Sequence, residues 1–361
     1  MGDPQAPFAK VLEVLDWHGA LDGDRIASDV TLISIGDHFD YDLKHPHEAA
    51  QQGLALMRWL SSHVPEQVVL LLGNHDASRV MELAHLTDEQ FEAARKLARS
   101  IDETEHRDGD AAAKLRTEQE FIPAYPELPP PGVLGRDYAS FTTEQRALVQ
   151  ELLLAGRFHL ARTGALPDGR AVLLTHAGVT KRELGLVGVD ETDPREIAAA
   201  LDEQLRNAVD VVRSDWQRGV STPLSLEPLH VTGGNGEEGG GLLYHRPSNP
   251  DRPDPDKAWA LSPLRPRRFD PRTLPLGLTQ IAGHSGHAKC VEELGPWVAE
   301  SAKALKHGGI RTLRADQAGH VVYDLGIPPR AEGVADLILI DGELRRVPAT
   351  RVALLPLANL D

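Results

Sequence analysis

The sequence predicts an α/β fold with a largely parallel sheet. Two short apolar segments, residues 30–35 and 68–72, each end at a glycine, and amphipathic segments at 8–21 and 48–63 alternate with them. This alternation is typical of parallel strands joined by helices, in which ligands bind beyond the carboxyl ends of the strands. Polar residues that follow the two glycines are therefore the first candidates for a functional site.

The first elements follow from hydrophobic periodicity. Residues 8–21 place Val11, Val14 and Leu15 on one helical face, and residues 48–63 return to helical character. The two apolar segments between and after them are too short for helices and are rich in Val, Ile and Leu, which favours buried strands.

Residues 80–165 differ from this pattern because they are charged and helical. The segments Thr87-Asp-Glu-Gln90 and Thr142-Thr-Glu-Gln145 each predict a helix N-terminus closed by a capping box. Between them, residues 123–132 are rich in proline and predict irregular structure. We interpret residues 80–165 as a helical insertion in a single domain that spans 1–361.

The second half of the chain resumes the sheet at residues 170–175 and then becomes irregular at about 219–275. The glycine-rich segment 233–241 lacks the lysine of a phosphate-binding loop and carries two acids, so we interpret it as a flexible loop. Near the end, an apolar run at 334–340, the pair Asp341-Gly342 and residues 343–347 predict a β-hairpin.

Composition excludes several classes of partner. A net charge of −16 disfavours binding to polymeric nucleic acid or anionic lipid, whereas a small phosphorylated substrate is compatible because bound metal ions reverse the local field. No apolar run reaches the length of about 18 residues that suggests a membrane span, and the N-terminus lacks the features of a signal peptide. The single cysteine, Cys290, excludes an intramolecular disulfide and fits a reducing cytoplasm.

Five short motifs carry candidate metal ligands, four of them at predicted strand ends. They are Gly2-Asp-Pro-Gln5, Gly36-Asp-His-Phe-Asp40, Gly73-Asn-His-Asp76, Thr175-His-Ala-Gly178 and Gly283-His-Ser-Gly-His287. Their donors are carboxylate, amide and imidazole groups without thiolates, which suits Mn, Fe, Zn or similar divalent ions better than a structural zinc. Two such ions about 3.5–4 Å apart can hold both oxygens of an in-line displacement at phosphorus.

The order GD-x-x-D, GNHD, TH-A-G and GH-x-x-H resembles the calcineurin-like metallophosphoesterases, and the spacing is most similar to bacterial relatives of the phosphoprotein phosphatases. The resemblance implies an α/β/β/α sandwich with two mixed sheets. It also implies two divalent metal ions, with manganese as the first expectation and iron, zinc, cobalt or nickel as alternatives. The implied activity is hydrolysis of phosphoesters by attack of a metal-bridging hydroxide, with a histidine as general acid.

The resemblance assigns roles by position in the motifs. Asp37 would bridge the two ions, Asp3 and Gln5 would complete the first metal position, and Asn74, His176 and His284 would complete the second. His75 would protonate the leaving oxygen and Asp40 would orient it. His287 remains open as a further ligand, because the family pattern GH-x-H has one residue fewer. His38 is interpreted as supporting or structural, and His45 and His47 as solvated.

Two segments compete for the first motif. Asp16-Trp-His-Gly19 has the spelling D-x-H-G that the family commonly uses, whereas Asp3-Pro-Gln5 has glutamine in place of histidine. Asp16 lies only 21 positions before Asp37, too few for a helix, a turn and a strand, so we favour Asp3. Because only Met1 and Gly2 precede Asp3, we expect that the natural chain begins further upstream or that this start removes the first strand.

The sequence indicates the type of reaction more narrowly than it indicates the substrate. The phosphoprotein phosphatases usually have arginine and glycine after GD-x-x-D, whereas Tyr41 and Asp42 stand here. Arg246 or Arg79 could bind phosphate instead, with a surface salt bridge as the other interpretation of each. A phosphorylated small molecule and a phosphoprotein both remain open as substrates of a phosphatase. The alternatives are a nucleotide or dinucleotide phosphohydrolase and a catalytically silent metal-binding protein.

Overall fold

The fold is known from a computed structural model that describes residues 1–190, 192–252 and 265–360. Residues 253–264 of the predicted irregular region lie outside the described residues. The helices are α1 Phe8–Trp17, α2 Pro46–Ser61, α3 Asn74–Ser78, α4 Asp88–Asp108, α5 Asp110–Arg116, α6 Ile122–Ala124, α7 Pro131–Arg136, α8 Thr143–Leu154, α9 Lys181–Val187, α10 Pro194–Gln217, α11 His287–Leu294 and α12 Glu300–Lys303. The strands are β1 Leu21–Asp22, β2 Arg25–Ile26, β3 Leu32–Ser34, β4 Val68–Leu71, β5 Phe158–His159, β6 Ala161–Ala165, β7 Ala171–Thr175, β8 His230–Val231, β9 Gly240–Gly241, β10 Arg246–Pro247, β11 Arg268–Phe269, β12 Thr279–Ala282, β13 Arg311–Asp316, β14 Val321–Leu325, β15 Val334–Leu339 and β16 Asn359–Leu360.

Two sheets form the centre of the molecule. The smaller has the order β3-β4-β5, and the larger has the order β14-β13-β15-β12-β7-β6-β16. The larger sheet is mixed, with parallel pairing of β7, β12 and β15 at its centre and antiparallel pairs on both sides. The resemblance implied that both sheets are mixed. The described strands of the smaller sheet pair only in parallel, so this expectation was wrong for the smaller sheet.

The sheets pack face to face through a small apolar layer. Ile35 and Leu71 of the smaller sheet contact Leu174, Ile281 and Ile338 of the larger one. A second apolar cluster packs α1, α2 and α8 on the smaller sheet and α10 on strands β6 and β7 of the larger sheet. A third lies under α11 and α12 on the larger sheet. The layers therefore have the α/β/β/α order that the resemblance implied.

The N-terminal residues extend the smaller sheet. The Met1 ammonium group donates a hydrogen bond to the Ile33 carbonyl at 2.7 Å, and the Ile35 N–H donates to the Met1 carbonyl at 3.0 Å. This is the pattern of a parallel pair with β3. It places Asp3 at the same edge as the residues that follow β3.

The helical insertion has a core of its own, with both predicted capping boxes confirmed. The hydroxyls of Thr87 and Thr142 each accept a hydrogen bond from the N–H three residues later, at 3.2 Å. The helical part ends at Leu154, and the last residues of the predicted insertion belong to β5 and β6 instead. The prediction of irregular structure at 123–132 was wrong at its ends, since α6 extends to Ala124 and α7 begins at Pro131.

The predicted C-terminal hairpin was wrong. β15 pairs with β12 and β13, and the residues after it form a 3₁₀ turn, Leu344–Arg346. Partners distant in sequence therefore outweigh the local hairpin signal of Asp341-Gly342. As a result, Asp341 lies at the carboxyl end of a central strand. Among the described residues, we find no helix whose length and hydrophobicity would let it span a lipid bilayer.

The loops after β3 and β4 touch at Gly73. A Cβ atom on this glycine would lie 2.3 Å from the Asp37 nitrogen and 2.3 Å from its Oδ1. We predict that Gly73→Ala lowers the free energy of unfolding by about 1–3 kcal/mol, the usual cost of overpacking, and displaces Asp37. Urea unfolding measures the first effect.

Gly185→Ala is the matched control, because a Cβ there meets nothing within 4 Å and Gly185 lies in α9. Alanine at that helical position should leave stability unchanged or raise it. If Gly73→Ala unfolds at the same urea concentration as Gly185→Ala, the tight contact at Gly73 is incorrect.

Candidate active site

Five of the predicted ligands line one cavity of about 530 Å³ at the carboxyl edge of both sheets: Asp3, Gln5, Asp37, Asn74 and His284. Asp3, Asp37, Asp40 and His284 have positive φ angles of 26°, 59°, 64° and 58°. Side chains with a Cβ rarely adopt this conformation, and such strain is concentrated at functional sites in proteins. The loops are thus held in conformations that aim these side chains into the cavity.

Asp37, His176 and His284 form a compact group of potential ligands. Their donor atoms all lie within 4.8 Å of one another, and all three residues are buried. His176 Nε2 is 3.1 Å from Asn74 Oδ1 and 3.5 Å from Asp37 Oδ1. The structure therefore brings together the predicted ligands of the second metal position.

Hydrogen bonds on the far side of each ring determine which nitrogen faces this group. His176 Nδ1 donates to the Ile35 carbonyl at 2.7 Å, and His284 Nε2 donates to the Tyr244 carbonyl at 2.8 Å. In a neutral ring the other nitrogen then carries a lone pair. Lone pairs of nitrogen and oxygen converge here, which is the donor arrangement that a divalent cation fits.

Electrostatics support the neutral form of His284. Burial lowers the pKa of His284 well below its usual range, and the positive charge of Arg246 and the nearby His176 lower it further. A neutral imidazole is the form that ligates metals.

His75 lies beside this group and is oriented by Asp40, as the resemblance implied. His75 Nδ1 is 3.0 Å from Asp40 Oδ2, and His75 Nε2 is 3.8 Å from Asp37 Oδ2. Burial lowers the pKa of His75, but Asp37 and Asp40 outweigh it and raise the value to about 9. The ring is therefore protonated at neutral pH and can donate a proton into the cavity.

Asp40 is itself held by the helical insertion and by Arg79. Its Oδ1 accepts hydrogen bonds from the Ser140 N–H at 2.8 Å and from the Ser140 hydroxyl at 2.6 Å. Its Oδ2 lies 2.6 Å from Arg79 Nη1 in an ion pair in which both side chains are fully buried. The ring of Tyr138 packs edge-on against His75 with centroids 5.7 Å apart.

Asp76, which sequence analysis gave no role, joins the two loops that carry Asp37 and His75. Its carboxylate accepts hydrogen bonds from the N–H groups of Asp37, His38 and Gly73 at 2.9, 3.1 and 3.0 Å. His38 donates to the same carboxylate through Nδ1 at 3.0 Å and contacts Ser34 through Nε2 at 2.9 Å. His38 is thus fully enclosed and supports the loop from behind.

The predicted first metal position contains oxygen donors only. Asp3 and Gln5 line the cavity with Asp37, and Gln5 Nε2 donates to the Phe39 carbonyl at 3.1 Å, so its Oε1 is the remaining donor. Asp3 Oδ2 accepts the His284 N–H at 2.7 Å, whereas the buried Oδ1 has no hydrogen-bond partner among the described residues. Burial, together with Asp341 and Asp37, raises the pKa of Asp3 well above its usual range.

Other predicted residues lie elsewhere. His287 does not line the cavity, since its ring contacts the Tyr323 hydroxyl at 2.8 Å and the Ala302 carbonyl at 3.0 Å. Arg79 is buried against Asp40 and does not line the cavity, whereas Arg246 does. Asp16 and His18 are exposed at the end of α1, away from the cavity. His45 and His47 are exposed, as expected.

Basic side chains on the cavity wall were largely missed by sequence analysis. The six are Arg136, Arg246, Arg267, Arg268, Lys289 and Arg345. A signal was present, because Arg265, Arg267 and Arg268 form a basic run in an otherwise acidic chain. Asp341 also lines the cavity and was missed because it was assigned to a hairpin turn.

Comparison with known proteins agrees with this geometry. The family model described as calcineurin-like phosphoesterase matches residues 1–178, which include the motifs that carry Asp37, Asn74, His75 and His176. No curated protein and no solved structure gives a significant match. Over residues 1–178, just under half of its length, the chain thus matches the calcineurin-like phosphoesterases, a family of metal-dependent hydrolases of phosphoesters.

Proposed function

We propose that this protein is a phosphatase that hydrolyses a phosphomonoester with two divalent metal ions, manganese being the first to test. One observation carries the proposal: the donor atoms of Asp37, His176 and His284 converge beside His75, whose ring is oriented by Asp40. When bound, divalent ions act as Lewis acids on the phosphoryl oxygens and lower the pKa of water.

The side chains of the site would hold the ions, transfer a proton and bind the phosphate. Asp37, Asn74, His176 and His284 would hold one ion, and Asp3, Gln5 and Asp37 the other. His75 would hold a proton on Nε2 at the cavity and transfer it to the leaving oxygen, while Asp40 keeps the ring oriented through Nδ1. Arg246 supports binding of the phosphate, because it lines the cavity next to His284.

The second candidate function is hydrolysis of a nucleotide or dinucleotide polyphosphate. Of the six basic side chains of the cavity wall, Arg246 and Arg345 form no ion pair among the described residues. They favour the second candidate, because two cations without an acidic partner can bind more than one phosphate group. A catalytically silent metal-binding protein is the remaining alternative, and activity measurements separate it from both.

We predict that the manganese-loaded protein hydrolyses p-nitrophenyl phosphate and that His75→Ala lowers kcat by about 10²–10⁴-fold, the range for loss of a general acid. Removal of metal with a chelator should abolish the activity, and added Mn²⁺ should restore it. His45→Ala is the control, because His45 is exposed and lies outside the cavity. If wild type and His75→Ala are equally inert with Mn²⁺, Fe²⁺ and Zn²⁺, the silent alternative is correct.

We predict that Asp40→Asn lowers the free energy of unfolding by about 3–5 kcal/mol at neutral pH, because it leaves the Arg79 charge buried without its partner. Burial raises the pKa of Asp40, but Arg79 and His75 outweigh it and hold it below the usual range. The carboxylate therefore stabilises the fold above about pH 4, its unfolded value, and the stabilisation is lost as the pH falls further.

Urea unfolding of Asp40→Asn and wild type at pH 7 and pH 3 measures this difference. Asp42→Asn is the matched control, because Asp42 pairs with the exposed His45. A deficit of Asp40→Asn that equals that of Asp42→Asn would contradict a buried ion pair at Asp40.

We predict that kcat/KM values for a panel of phosphorylated substrates distinguish the two candidate functions. The panel compares a phosphoserine peptide, nucleoside monophosphates, nucleoside triphosphates and a dinucleoside tetraphosphate by kcat/KM. If the protein is the proposed phosphatase, kcat/KM is highest for the phosphomonoesters. Arg345→Ala should then lower kcat/KM more for polyphosphates than for monoesters, because it removes a cation of the cavity wall that has no acidic partner among the described residues. Preference for the tetraphosphate by tenfold or more would select the second candidate.

A further inference from the structure

Asp341 lies two residues beyond the end of β15, and His284 lies two residues beyond the end of β12. The two strands are parallel neighbours, and Ala282 is in register with Leu339. His284 and Asp341 are each two residues beyond these register partners, so both side chains begin at the same height above the sheet. One of them is a proposed ligand of the second metal position, and the other lines the same cavity.

The backbone of Asp341 also adjoins the segment that carries Asp3. A Cβ atom on Gly2 would lie 2.5 Å from the Ile340 carbonyl oxygen and 3.0 Å from the Asp341 nitrogen. Asp3 is the next residue after Gly2, so the two aspartates enter the cavity side by side. Gly286 opposes Asp341, and a Cβ there would be 3.3 Å from Asp341 Oδ2.

Both carboxylates have an oxygen without an ordinary partner. Asp341 Oδ1 accepts the Glu343 N–H at 3.0 Å, and among the described residues no basic side chain forms an ion pair with the Asp341 carboxylate. Asp3 is 5% exposed, and its Oδ1 has no hydrogen-bond donor in the described part of the chain. The lack of a donor is costly for the buried Asp3 Oδ1 unless a cation satisfies it, whereas Asp341 is half-buried and presents Oδ2 at the cavity.

We propose that Asp341 is a ligand of the first metal position, together with Asp3, Gln5 and Asp37. This inference rests on the proposed metal-dependent function and deepens it. Gln5 supplies a neutral amide oxygen, a weaker donor than the imidazole for which it substitutes. The carboxylate of Asp341 compensates by adding charge, and the position becomes one of oxygen donors only, which suits Mn²⁺ or Mg²⁺.

Binding of Mn²⁺ alone tests the proposal on the full chain, by calorimetry and by electron paramagnetic resonance of the bound ions. Wild type should bind two ions and show the spectrum of a coupled pair. Asp341→Asn should bind one ion with unchanged affinity and the other at least about tenfold more weakly, the scale of effects seen when groups that support a metal ligand are removed. The coupled spectrum should be lost at ion concentrations that saturate wild type.

Two further variants separate ligation from other roles. Asp137→Asn removes the same charge from the cavity wall and should retain both ions and the coupled spectrum. Gln5→His in the Asp341→Asn background adds an imidazole at the first position and should restore tight binding of the second ion. Asparagine can still accept the Glu343 N–H, and the melting temperature without Mn²⁺ measures any purely structural loss.

The outcomes are distinct. Two ions bound by Asp341→Asn as tightly as by wild type, or equal weakening of both ions, would overturn the role of Asp341 and leave the proposed function intact. An equal loss in Asp137→Asn would also overturn it, because the effect would be one of charge alone. If wild type binds no Mn²⁺, the proposed function itself fails.

Discussion

The buried carboxylate of Asp76 is the interaction on which the site depends. It gathers N–H groups from the loop after β3 and the loop after β4, together with the His38 ring. Burial raises its pKa, but His38 and these hydrogen bonds outweigh burial and lower it. An ionised carboxylate with several donors is a rigid junction. It sets the distance between Asp37 on one loop and His75 on the other, so the relative placement of the proposed ligand and the proposed acid is fixed by the fold.

Register in the larger sheet places the remaining donors. Parallel pairing of β7 with β12, and of β12 with β15, aligns the ends of three strands, so His176, His284 and Asp341 follow at similar heights. The smaller sheet presents Asp37 and Asn74 from the opposite layer in the same way. The site is therefore a property of two sheets meeting at their carboxyl edges. Ser140 and Tyr138 of the helical insertion contact Asp40 and His75, respectively, whereas the proposed metal ligands follow the strands.

The sequence predicted the parts of the site whose sequence signals lie within a few residues, and it did not predict the parts that depend on contacts distant in sequence. Asp37, Asn74 and His176 were predictable because each ends an apolar strand at a recognisable motif, and the capping boxes at Thr87 and Thr142 act within one helical turn. Asp341 was not, because Asp-Gly after an apolar run is also the signal of a hairpin. Only pairing of β15 with β12, more than 50 residues away in sequence, decides between them. The ion pair of Arg79 with Asp40 was not predicted for a different reason. Neither motif spacing nor hydrophobic periodicity indicates that an arginine side chain is buried.

The two proposed metal positions differ in how their donor atoms are arranged. At the second, each imidazole is anchored by a hydrogen bond to a carbonyl, so its lone pair is aimed without any cation. At the first, carboxylates that can only accept hydrogen bonds lie close together, and burial makes their mutual repulsion expensive. A cation between them would remove that repulsion, so we expect ion binding at the proposed first position to contribute more to the stability of the fold than binding at the proposed second one. The proposed position with the weaker neutral ligand would thus also be the one at which metal binding and folding are most tightly coupled.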